Sequence, residues 1–115
     1  MSLTIEREDR EPGTSVITLR GRLLLGPGCK ELERLVPELL EQGRKTLVFD
    51  LSEVTHIDST GIGRFIDTYG RLQKLGGSLR LAGAEGTVRE VFRVTRLDTV
   101  FRFYPTVAEA VDANP

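Results

Sequence analysis

Residues 46–63, TLVFDLSEVTHIDSTGIG, constrain the fold more than any other stretch of the chain. Leu47, Val48, Phe49 and Leu51 form an apolar run too short for a buried helix, and its β-branched and aromatic content suits a buried parallel strand. Asp50 is expected to terminate that strand, and a polar connection follows. Asp58-Ser59-Thr60-Gly61 then precedes Ile62, Phe65, Ile66, Tyr69 and Leu72, whose spacing predicts a helix. Ser59 thus falls at or beside a helix N-cap.

The first turn of a helix leaves backbone N–H groups unpaired and carries positive partial charge. A hydroxyl oxygen there is satisfied locally, and a phosphate is tolerated. Gly61 and Gly63 remove side-chain bulk where another molecule could approach the backbone. At this point two readings stand open: Ser59 is an N-cap contributing about 1 kcal/mol, or it is a site of modification.

The rest of the chain alternates strand and helix. Leu3, Ile5 and Arg7 alternate with Thr4 and Glu6 as a half-exposed strand does, Glu11-Pro12-Gly13-Thr14 makes a turn, and residues 15–20 supply a second strand. Gly21 and Gly26-Pro27-Gly28 are expected to interrupt regular structure. Leu32, Leu35, Val36, Leu39 and Leu40 then predict a helix ending near Gly43 and kinked, not divided, by Pro37. Gly76-Gly77 closes the Ser59 helix, and residues 78–82 read as a strand. Thr87 and Glu90 have capping-box spacing ahead of a third helix with Val88, Val91, Phe92 and Thr95 as its buried stripe. Residues 100–103 predict a last strand, and Thr106 with Glu109 predicts a second capping box and a short helix ending near Pro115. The fold class is α/β: one domain over residues 1–115, with a mostly parallel mixed sheet of four to five strands, an antiparallel N-terminal edge strand and about four helices.

Composition narrows the function. At 115 residues the chain suits one core. Charged residues are 29% and nearly cancel to a net −1, so no global field draws the molecule to nucleic acid or an anionic membrane. No run of 18 apolar residues occurs and the N-terminus is charged, which points to a cytoplasmic protein. One cysteine and one histidine are too few for a disulfide or a structural zinc site, and no cofactor motif is complete. Cys29, near a helix start where the macrodipole would lower its pKa, reads as structural.

His56, Asp58 and Ser59 bring a base, a carboxylate and a nucleophile together, but residues packed into four positions point apart, and there is no G-x-S-x-G elbow. Asp50, Glu53 and Asp58 are too few for a convincing cation site. Arg89, Arg93 and Arg96 share one helical face by spacing, as do Arg64 and Arg71, and each set is either solvated or meets an acidic partner.

An apolar strand ending in Asp50-Leu51-Ser52, a short connection and Ile57-Asp58-Ser59-Thr60-Gly61-Ile62-Gly63 before a helix resembles the signature of STAS domains, especially bacterial anti-sigma factor antagonists. Gly21-Arg22-Leu23, Leu75-Gly76-Gly77 and Arg96-Leu97-Asp98 extend the likeness in the expected order. The resemblance implies a non-enzymatic binding module whose phospho-acceptor is Ser59. Its implied partner is an anti-sigma factor serine kinase, which carries the ATP and magnesium and docks over Asp58, Thr60, Gly61, Ile62 and Gly63. Asp50, Ser52, His56 and Leu24 are secondary positions, and a homodimer is left open. Many antagonists have Gly-Glu-Leu-Asp where this chain has Gly21-Arg22-Leu23-Leu24, and Leu24 cannot hydrogen-bond as that aspartate does. A STAS scaffold or transport-associated subunit, and a small-ligand or lipid-binding STAS domain, are the alternatives.

Overall fold

The computed structural model describes residues 3–113. In chain order these form β1 (Thr4–Arg10), β2 (Thr14–Leu23), α1 (Pro27–Glu41), β3 (Thr46–Ile57), α2 (Ser59–Leu75), β4 (Ser78–Ala82), α3 (Gly86–Val94), a 3₁₀ turn (Leu97–Thr99), β5 (Arg102–Tyr104) and α4 (Val107–Asp112). The five strands lie in the order β1-β2-β3-β4-β5, with β1 antiparallel to β2 and every other pairing parallel. This is the expected mixed sheet with one antiparallel edge.

Alternation along the strands divides the residues between two faces. Ile17, Leu19, Leu47, Phe49, Leu79 and Leu81 point to the face covered by α1, α2 and α3 and form the main core. Val16, Val48 and Ala82 point the other way and meet Ala110 of α4. A chain of aromatic contacts fastens the larger face. Phe49 meets Phe65 of α2 edge-on at 5.3 Å, Phe65 lies 5.9 Å from Phe92 of α3, and Phe92 meets Phe103 at 5.2 Å.

Several boundaries differ from the expectations, each for a physical reason. Gly21 does not interrupt β2; it adopts φ 107° inside the strand, where the register with β3 shifts. Asp50 does not end β3, which continues seven residues further to Ile57 by pairing with β2 alone. Pro37 sits within one unbroken α1, so the helix is not divided. Thr87 is not an N-cap: that position is Glu85, whose side chain makes no capping bond, and Glu90 pairs with Arg93 instead. Thr95 is exposed at the C-cap of α3, its hydroxyl turned back to the Val91 carbonyl at 2.7 Å. Arg96 leaves the helical face altogether with φ 62°, while Arg89 stacks 3.9 Å over the Phe103 ring. The last strand starts two residues late because residues 97–99 coil into the 3₁₀ turn. Of the second capping box, the Thr106 half forms, accepting from the Glu109 N–H at 3.1 Å. Helix α4 closes at Asp112, and Pro115, its expected neighbourhood of termination, lies outside the described residues. Ile66, counted with the apolar stripe of α2, is 49% exposed.

Candidate functional site

The extra length of β3 creates the site. From Asp50 to Glu53 the strand advances three residues while β2 advances two, from Thr18 to Arg20, and a second extra residue appears between Val54 and His56. Such bulges twist a strand and re-aim its end. The Asp50 carboxylate supports the first one, accepting from the Ser52 N–H at 3.0 Å and from the Ser52 hydroxyl at 2.8 Å. Asp50 and Ser52 therefore serve the strand.

Beyond Ile57 the chain turns into α2 through Asp58, which is the N-cap. Its carboxylate accepts from the Gly61 N–H at 3.0 Å and from the Leu25 N–H at 3.0 Å, and its own N–H donates to the Leu23 carbonyl at 3.3 Å. One side chain thus satisfies an orphan amide of α2 and ties down the loop between β2 and α1. The Gly61 N–H is the main reason that the Asp58 carboxyl is held below its usual range, opposed by partial desolvation and helped by the Leu25 and Thr60 amides.

Ser59, relieved of capping, is the first residue of α2 and is exposed. Its hydroxyl makes no hydrogen bond among the described residues. Thr60 and Gly63 are half-buried, and a Cβ placed on Gly63 would meet open space. Gly61 and Ile62 are used inside the fold. A Cβ on Gly61 would come within 2.5 Å of the Leu23 carbonyl oxygen, and Ile62, only 8% exposed, belongs to the main core. The glycine thus lets β2 approach α2, not an outside molecule. The apolar group offered to solvent here is Leu25, 77% exposed, beside the half-buried Leu24. The sequence reading missed Leu25. Its signal was three consecutive leucines, 23–25, at the end of a strand able to bury only the first.

His56 lies exposed on β3, opposite Arg22 of β2, with its Nδ1 2.9 Å from the Thr55 hydroxyl; no hydrogen bond joins it to Asp58 or Ser59 among the described residues. Asp50, Glu53 and Asp58 do not converge, and Glu53 instead binds Arg20 at 3.0 Å. Arg64 pairs with Glu33 of α1 at 2.9 Å and Arg71 with Asp67 at 2.9 Å, so neither presents a free charge. Burial pushes the Cys29 thiol up, and the nearby Asp58 charge adds to this, so the expected lowering does not occur.

A hairpin followed by β-α repeats matches known proteins. The sequence model of the STAS domain covers residues 8–110. The chain belongs to the STAS domain family. The anti-sigma-B factor antagonist of Bacillus subtilis (strain 168) is 38% identical over 68 residues, 59% of this chain and 61% of that protein. An anti-sigma factor antagonist from Mycobacterium paratuberculosis is 30% identical, with a TM-score of 0.80 over 96% of this chain and 92% of that one. The Bacillus cell fate determinant SpoIIAA in its phosphorylated form shares the fold, with a TM-score of 0.77 over 95% of this chain and 97% of that one at 24% identity. This STAS domain spans 66% and 61% of the length of the first curated relatives it matches. No helix among the described residues is long and apolar enough to cross a membrane.

Proposed function

We propose that this STAS domain is an anti-sigma factor antagonist: a cytoplasmic module, itself no enzyme, that binds an anti-sigma factor serine kinase until Ser59 is phosphorylated. The observation that carries the reading is the free Ser59 hydroxyl on a helix start whose capping is done by its neighbour Asp58. A kinase can reach that oxygen without breaking a hydrogen bond. The kinase supplies ATP and magnesium, and this chain is its ligand and its substrate.

Unmodified Ser59 is small and neutral, and a partner closing over it also covers Leu25 and the half-buried Leu24. Phosphate adds a charge of about −1.5 to −2 at that spot. The helix N-terminus accommodates the dianion, whereas an apolar or acidic partner surface does not, and Asp58 adds a like charge. Release of the partner follows from loss of the interface, with the fold unchanged. Leu24 shifts recognition at the β2–α1 loop from hydrogen bonding to apolar contact, so the cognate kinase presents an apolar surface there. Its relative SpoIIAA has been described both unphosphorylated and phosphorylated, which supports a switch of this kind.

The test is incubation with the serine kinases of anti-sigma type from the same genome and ATP, followed by mass spectrometry. A single phosphate on Ser59, absent in Ser59→Ala, is expected. Modification elsewhere, or none with any of the kinases, overturns the reading.

A further inference from the structure

At the opposite end of β3 from Ser59, where β3, β4 and β5 begin, a cavity of about 350 Å³ opens between the strand starts and the C-terminal half of α2. Lys45, Arg80 and Arg102 line it, and no acidic residue does. None of the three holds a carboxylate among the described residues, whereas Arg7, Arg20, Arg44, Arg64 and Arg93 each do. Arg22, Lys30, Arg34, Lys74, Arg89 and Arg96 hold no carboxylate among the described residues either, so what distinguishes Lys45, Arg80 and Arg102 is that they line one cavity.

Arg80 is the unusual member. It is 3% exposed, yet a buried guanidinium normally requires a counter-charge. Its Nε donates to the Ser78 hydroxyl at 3.1 Å and its Nη1 to the Ala110 and Val111 carbonyls at 2.8 and 3.5 Å, so the end of α4 supplies partial negative charge but no carboxylate. Those bonds leave Nη2 without a partner among the described residues, and no sealed polar atom is left unsatisfied, so Nη2 reaches solvent. The cavity wall carries further donors: the Ser78 hydroxyl, and Tyr69, whose oxygen already accepts from Gln73 at 2.6 Å, leaving its own proton to donate.

We infer that this cavity binds a small polyanion, bearing phosphate or carboxylate groups, with the exposed Lys45 and Arg102 supplying its charge and Arg80 in the wall between them. Guanidinium recognises such oxygens through paired N–H donors, and the flanking lysine and arginine supply charge that a bound anion would neutralise. The site lies away from Ser59, and its occupation does not depend on the switch proposed there.

Isothermal titration calorimetry of the whole chain with inorganic pyrophosphate, and separately with citrate, tests it. Saturable binding of at least one is expected. Pyrophosphate alone identifies a phosphate-bearing ligand, citrate alone a polycarboxylate, and both together a site that reads charge. Lys45 and Arg102 are exposed, so Lys45→Ala/Arg102→Ala should keep the same thermal melting curve while weakening binding by about tenfold or more. Lys30→Ala/Arg34→Ala on α1 removes the same charge elsewhere and should leave affinity within about twofold. No saturable binding of either anion, an equal loss in both double variants, or amide shifts centred on Ser59 instead of residues 77–80 would overturn the inference.

Discussion

Helices α2 and α3 start in equivalent places, each after a parallel strand on the same edge of the sheet, but they start differently. At α2 the Asp58 carboxylate holds the Gly61 and Leu25 amides and the Gly61 backbone packs on Leu23, so the helix start is joined to the end of β2 and the loop after it. At α3 the N-cap is Glu85, no side chain caps the helix, and Gly86 follows with φ 58°. The difference teaches where precision is spent. A neighbour's carboxylate does the capping at α2 and leaves Ser59 free; the α3 start, with no such duty, is left uncapped.

Gly61→Ala should break the comparison most severely, because its new methyl must displace the Leu23 carbonyl, a cost of about 1–3 kcal/mol in urea unfolding. Gly63→Ala, two residues on and facing open space, should stabilise by about 0.5–1 kcal/mol. Equal effects at both positions would deny the close approach of β2 to α2. Asp58→Ala should cost about 1 kcal/mol and raise hydrogen exchange at Gly61 and Leu25 together. The sign with pH follows from its depressed folded pKa: the stabilisation is complete above the unfolded value of about 4 and is lost as pH falls through the lower, folded value. The gap between wild type and Asp58→Asn in thermal melts should therefore narrow on acidification. Glu85→Ser should give α3 the cap it lacks and add about 0.5 kcal/mol in the same assay; no gain would mean that the α3 start is satisfied in another way.

What was legible in the sequence follows the same division. The apolar run 47–51 and the helical spacing of Ile62, Phe65, Tyr69 and Leu72 were readable because burial writes a period into the chain. The continuation of β3 through Glu53, Thr55 and His56 was not, since a strand paired only on its β2 side and open to solvent has the composition of a loop. Thr87 and Glu90 had the right spacing, but spacing cannot show that the helix starts earlier and that Glu90 is taken by Arg93. Asp58 was legible as a neighbour of Ser59; its bond to Leu25, 33 residues away in sequence, was not. Tertiary contacts decide which of two adjacent polar residues caps and which stays free.

Calorimetric titration of the cognate anti-sigma factor kinase against this STAS domain, unmodified and then carrying phosphate on Ser59, tests the central claim most directly, with Ser59→Asp as a second charged form. The account predicts a loss of affinity of at least about tenfold, or about 1.4 kcal/mol, with unchanged melting of the domain itself. Equal affinity of the two forms would contradict it.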